Sequence, residues 1–140
     1  QPQKRRTFDP KDSVDMQGQT GPYVQNAYVR IQSVLRKGGE QDLSAAEAYT
    51  ELQDAERELI AQLFAFPGLV REAAEGYDPS SVANFCYELA KNYHRFYHDH
   101  SILNADSEAA KAFRLKLCYG VAHCLKNGMQ MLGIEMPDRM

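Results

Sequence analysis

The feature that most limits how this chain can fold is the spacing of its apolar residues, which recur three and four positions apart and are cut into lengths by proline and glycine. From Gly21 to Lys37 the positions Val24, Ala27, Tyr28, Ile31, Val34 and Leu35 follow that spacing, which lines one face of a 3.6-residue helix. Pro22 suits a first helical turn, and Gly38-Gly39 ends the segment. Ser44 with Glu47 three residues on reads as a capping box. Behind it Ala48, Tyr49, Leu52, Ala55, Leu59, Ile60 and Leu63 predict a second, longer helix up to Phe66-Pro67. Pro67 then starts a short third helix through Leu69, Val70, Ala73 and Ala74, closed by Gly76.

Asp78-Pro79 reads as N-cap and first turn of a fourth helix with the stripe Val82, Phe85, Cys86, Leu89, Ala90, Tyr93, Phe96 and Tyr97. A fifth runs from about Ser107 to Leu132 with Ala109, Ala112, Phe113, Leu117, Val121, Cys124, Leu125 and Leu132 on its apolar side, and Gly133 and Pro137 stop it. No segment alternates with period two and no 20-to-50-residue repeat occurs. The expected fold is therefore all-α, a single helical bundle of about five helices over residues 21–140. Residues 1–20, rich in Asp, Gln, Gly and Lys, read as a connector.

With 140 residues, 44% of them hydrophobic, one such domain can bury a core without metal or disulfide help. The three cysteines, Cys86, Cys118 and Cys124, are an odd number at spacings that fit neither a disulfide framework nor paired zinc ligands, which points to a reducing compartment and to apolar filler. No run of 18 apolar residues exists, and QPQKRRTFDP lacks the apolar stretch of a signal peptide. The expectation is a cytoplasmic protein without a membrane partner.

The net charge of −3 conceals an uneven distribution. Residues 1–37 hold seven Lys/Arg against three acids, residues 38–78 two against ten, and residues 79–133 six against four. A polyanion would be repelled by the middle of the chain and met by its two ends.

Several chemistries find no support. A phosphate-cradling loop needs glycines between a strand and a helix, and no such segment occurs. His94 and His98 stand four apart on one helix with Asp99 and His100 behind, a spacing that can hold a metal, yet no other helix offers a matching pair, so no metal is expected. No Ser or Cys sits in an activating pattern, and His123, amid apolar residues, reads as a core histidine. What stands out is the interleaving Tyr93-His94-Arg95-Phe96-Tyr97-His98, aromatic and basic side chains of the kind that stack bases and neutralise phosphate. Tyr93 and Phe96 fall on the apolar stripe, leaving Arg95, Tyr97, His98 and His100 as candidate surface.

Residues 8–31, FDPKDSVDMQGQTGPYVQNAYVRI, resemble the junction between catalytic and C-terminal domains of arginyl-tRNA synthetases. There Gly18, Gly21 and Pro22 lead into a helix with Gln25 and Arg30 at matching positions, Asn26 where an aromatic is usual, and Tyr28 where His or Tyr is frequent. The resemblance resumes at 58–74, 80–103 and 114–140, the last closing on LGIEMPDRM like the ending of that family. It implies the helical anticodon-binding domain of a class I synthetase that joins arginine to tRNA(Arg) using ATP and Mg, with no cofactor and no catalytic residue in this part. The HIGH-like and KMSKS-like sequences of such enzymes do not occur in these 140 residues. The implied partners are tRNA(Arg) and a catalytic domain, with the protein a monomer.

Arginine anticodons share a middle cytosine, since the codons are CGN, AGA and AGG, so the resemblance makes that base's Watson–Crick edge the object to read. It implies Arg30 as a donor to the cytosine, Met140 as a backbone acceptor for its amino group, and Tyr97 as an aromatic facing the loop. Gln25, Asn26 and His98 join the RNA-binding set. Lys91, Arg95, Lys126 and Arg139 are candidate phosphate contacts. Two rivals remain at this point: a helical protein-interaction module without RNA binding, which fits the acidic second helix equally well, and a metal-dependent enzyme built on His94 and His98.

Overall fold

In a computed structural model of the chain, residues 20–40, 42–76 and 78–140 are described. The connector expected over 1–20 lies outside them except for Thr20, which opens the first helix instead. The described residues form four α-helices and one 3₁₀ segment, with no strand: α1 (Thr20–Gly38), the 3₁₀ segment Leu43–Ala48, α2 (Asp54–Gly76), α3 (Pro79–Asp99) and α4 (Glu108–Met131). The all-α bundle is as expected, but two boundaries differ.

The capping box sits nine residues later than Ser44 and Glu47 suggested. Ser44 donates its backbone N–H to Asp42 Oδ1 at 3.0 Å and starts only the 3₁₀ segment. Glu56 reaches back to the Gln53 backbone N–H at 2.7 Å, the reciprocal half of a capping box, and α2 begins at Asp54. Pro67, expected to end one helix and start another, lies inside α2. A proline removes one helical hydrogen bond, but Phe66 and Ala73 on either side of it are both buried in the same core, and that shared burial holds the two halves as one helix.

α4 is the most enclosed element, with twelve buried residues, and it packs on α1, α2, α3 and the 3₁₀ segment. α1 and α2 each pack against both α3 and α4 but not against each other, so the α3–α4 pair separates them. Tyr93, Phe96, Ile31, Leu59, Leu89 and Leu125 are fully buried between the layers. Gly128 lets α3 and α4 approach closely, since a Cβ there would stand 2.5 Å from Cys86 Sγ. The three cysteines are free and buried. Burial pushes their thiols up, that of Cys86 to about 12 and those of Cys118 and Cys124 to about 11, which suits packing and not nucleophilic chemistry.

One buried polar cluster ties the loops to the core. Glu56, with 0% of its surface exposed, accepts from Arg114 Nε, Tyr49 Oη and Gln53 N, each at 2.7 Å. Arg114 Nη1 also donates to the Ser101 carbonyl at 2.7 Å. One ion pair thus fixes the start of α2, the segment before it and the α3–α4 loop upon α4.

α4 ends in a pair of tight bonds, from Ile134 N to Met129 O and from Gly133 N to Gln130 O, both 2.9 Å. This Schellman arrangement needs the left-handed Gly133, at φ 77°. It turns the last residues back across the bundle, where Ile134 and Met136 pack on the core.

Candidate nucleic-acid interface

The placement of α1 and α2 on opposite flanks turns the charge pattern of the sequence into a spatial one. α1 carries Arg30, Arg36 and Lys37 and no acid, whereas α2 carries Asp54, Glu56, Glu58, Glu72 and Glu75 against Arg57 and Arg71. A polyanion would therefore meet the α1 flank.

On that flank Arg30 is the organising side chain. Its guanidinium lies over the Tyr97 ring, 4.6 Å from Cζ to the centroid, and Nη1 stands 3.2 Å from His94 Nδ1. Burial first, then Arg30 and His98, hold the His94 imidazole below its usual range. A neutral ring accepts at Nδ1 and carries its proton on Nε2, the tautomer that satisfies Arg30. Tyr23 adds its ring edge-on to His94 at 5.1 Å. Tyr97 is 37% exposed, so a planar cation and a phenol ring are presented together at the surface. Fixed guanidinium forks and exposed rings are the groups that pair with and stack on unstacked bases.

His98 is exposed beside Tyr97, their rings 5.9 Å apart. With Arg30 on its Nδ1, His94 has no free lone pair there for a metal. No cluster of three His, Cys, Asp or Glu suited to an ion occurs among the described residues.

Arg95 lies elsewhere. Two positions from Tyr97, it is about 160° round the helix, and its guanidinium turns to Glu58 on α2 at 3.5 Å and to Asn92 at 3.3 Å. A cleft of about 400 Å³ beside it is lined also by Asp54 and Asp99, an acidic setting. Lys91 likewise pairs with Glu88 at 3.9 Å. Lys126 is exposed on α4, one of a stripe with Lys116, Tyr119 and His123. His123 is thus a surface residue and not the core histidine expected. Leu117, Val121, Cys124 and Leu125 are buried, but His123 occupies the outward gap between them and meets Asn127 Nδ2 at 2.9 Å.

Asn26 is exposed on α1. Gln25, five positions from Arg30 and so about 140° round α1, faces the chain's own end: its Nε2 donates to the Glu135 carbonyl at 3.0 Å. Arg36, absent from the expected set, donates Nη1 to the Asp138 carbonyl at 3.5 Å. Arg139 and Met140 follow, both exposed. Between the ends of α1 and α3, Val34, Lys37, Tyr97, His100 and Ile102 line a cleft of about 300 Å³. Partners contributed by backbone carbonyls, as for Gln25 and Arg36, leave no signature in the sequence.

The helical scaffold that carries this flank has a counterpart among solved structures. The arginyl-tRNA synthetase of Thermus thermophilus superposes with a TM-score of 0.81 at 32% identity, over 99% of this chain and 24% of that one. The arginine–tRNA ligase of Bacteroides fragilis is 46% identical over 98% of this chain and 24% of its own length. That of Bacteroides thetaiotaomicron is 47% identical over the same shares. The chain thus spans about a quarter of the relatives it matches. Residues 24–140 match the DALR anticodon binding domain, and the chain belongs to that family.

Proposed function

We propose that this chain is the part of an arginine–tRNA ligase that grips the anticodon stem and loop of tRNA(Arg). The observation that carries the reading is the Arg30 guanidinium, stacked on Tyr97 and oriented by His94 on a helix flank without acids. Its remaining N–H groups donate to the ring nitrogen or carbonyl of the middle cytosine. Tyr97 offers a face on which a neighbouring base stacks. The tail lies along the same helix, and the Met140 backbone accepts from the cytosine amino group. Lys37, which shares a cleft with Tyr97, and the exposed Arg139 are the phosphate partners in this reading. Arg95, held by Glu58 on the acidic side, is a structural cation.

Activation of arginine with ATP and Mg, and its transfer to tRNA, belong in this reading to a catalytic domain joined to the chain, in a monomeric cytoplasmic enzyme. The share of the ligases that the chain spans supports that division of labour. No described helix is long and apolar enough to cross a membrane.

The test is binding of the purified chain to transcripts of tRNA(Arg) and of a tRNA with a different middle anticodon base, over a range of salt. Affinity that falls steeply with salt and favours tRNA(Arg) is the expected result. Equal affinity for both transcripts, or none at low salt, would refute it and leave the protein-interaction module as the better account.

A further inference from the structure

The two hydrogen bonds between α1 and the C-terminal tail are side chain to backbone across more than a hundred residues of sequence, from Gln25 to the Glu135 carbonyl and from Arg36 to the Asp138 carbonyl. Gln25 and Arg36 are eleven positions apart, about 20° from true alignment on one side of α1 and about 16 Å along it. Glu135 and Asp138 are met in the same order, so the tail runs in the direction of α1. It starts from the fixed Schellman turn at Gly133, is seated by Ile134 and Met136 on the core, and is stiffened by Pro137. Arg139 and Met140 follow Asp138. They span at most about 7 Å.

A terminal segment with exposed residues ordinarily frays. Here four restraints of different kinds act on five residues, and the polar two grip only main-chain atoms. We infer that Gln25 and Arg36 are positioning residues, a strap that holds residues 134–138 along α1, so that the main chain of the residues that follow, Arg139 and Met140, is pre-placed for the RNA. Gln25 then acts on the nucleic acid through the tail and not by touching a base. The inference rests on the proposed anticodon reading for its purpose, but the strap itself is a property of the free chain. Because the strap reads the backbone, the identities of Glu135 and Asp138 matter little, whereas the number of residues between Gly133 and Asp138 matters.

The experiment compares the parent chain with Gln25→Met/Arg36→Met, which keeps bulk and removes both donors, and with Gln25→Met/Arg36→Gln, which restores a donor at position 36 without its charge. Tail order is read from ¹⁵N relaxation of residues 134–140 and from the rate of carboxypeptidase trimming. RNA affinity is read with a synthetic anticodon stem-loop of tRNA(Arg). In the double Met variant the tail becomes mobile and is trimmed faster, the melting temperature holds, and affinity falls about tenfold as pre-organisation is lost. The Gln variant recovers part of both tail order and affinity, which loss of a phosphate contact at Arg36 would not allow. A tail as ordered in the double Met variant as in the parent would overturn the strap. A mobile tail with unchanged affinity would overturn its role in binding. A parent chain that fails to bind the stem-loop removes the anticodon reading and with it the strap's purpose, while the relaxation data still decide whether the strap exists.

Discussion

Arg30 shows how much a single position can be asked to do. It is a partly buried cation held by a neutral histidine and a tyrosine ring, so its fork is oriented before any base arrives. Arg30→Ala should cost about 1–3 kcal/mol of binding and relax the preference for cytosine. Arg30→Lys should lose nearly as much, since an ammonium cannot keep the planar stack and the fork together. Isothermal titration with cognate and altered stem-loops checks both, and retained cytosine preference in either variant would remove Arg30 as the reader. Tyr97→Ala should cost about 1–3 kcal/mol where Tyr97→Phe costs little, because stacking needs only the ring face. His94 supplies a pH test. Its pKa is depressed in the folded chain, so its contribution is complete above the ordinary imidazole value of about 6.5 and is lost as pH falls through the lower folded value. A histidine NMR titration should place its midpoint below that value and show the Arg30 contact breaking with it. A midpoint at or above the ordinary value would contradict the neutral acceptor. At this scale the sequence singled out Arg30 and Tyr97 through pattern and resemblance, and the fold brings the two together. It could not reveal that Gln25 is engaged by a backbone carbonyl or that Arg95 is drawn off by Glu58, since both depend on which helix lies alongside.

The helices were legible in kind and imperfectly in extent. Periodicity identified the buried faces of α1, α3 and α4 because each is a long, regular amphipathic run. It misplaced the start of α2: the Ser44/Glu47 pattern starts only the 3₁₀ segment, and the Glu56 that caps α2 pairs with Arg114, fifty-eight residues away, at 2.7 Å. It also broke α2 at Pro67, a rule of local sterics that core burial on both sides overrides. The Glu56–Arg114 pair left no mark in a pattern of apolar spacings. Removing one partner strands a buried charge, so Arg114→Met should destabilise the fold by about 3–5 kcal/mol, and Glu56→Leu/Arg114→Met together by less than the sum. Urea unfolding measures this, and additive losses would mean that the pair is not coupled. At the α3–α4 contact, Gly128→Ala should cost about 1–3 kcal/mol by overpacking, largely recovered when Cys86→Ala clears the space.

Over the whole molecule the bundle works as a separator. By placing α1 and α2 on opposite flanks of the α3–α4 pair, it sets the acid-free α1, in a chain of net charge −3, apart from the acidic α2. The segmental charges were visible in the sequence, but their segregation required the packing order of the helices. The same architecture lays the tail along α1. Removing Arg139 and Met140, the latter 72% exposed, should therefore weaken RNA binding while the melting temperature stays within the range of a surface change. Full affinity in the shortened chain would show that these two residues are not used.

The central claim is that this face reads the middle anticodon base. Its most direct measurement is the affinity of the unmodified chain for two anticodon stem-loops that differ only there, cytosine in one and uracil in the other, at fixed salt. Uracil presents an acceptor where cytosine presents its amino donor, so the predicted loss is about 1–3 kcal/mol. Equal affinity for the two stem-loops would contradict the account.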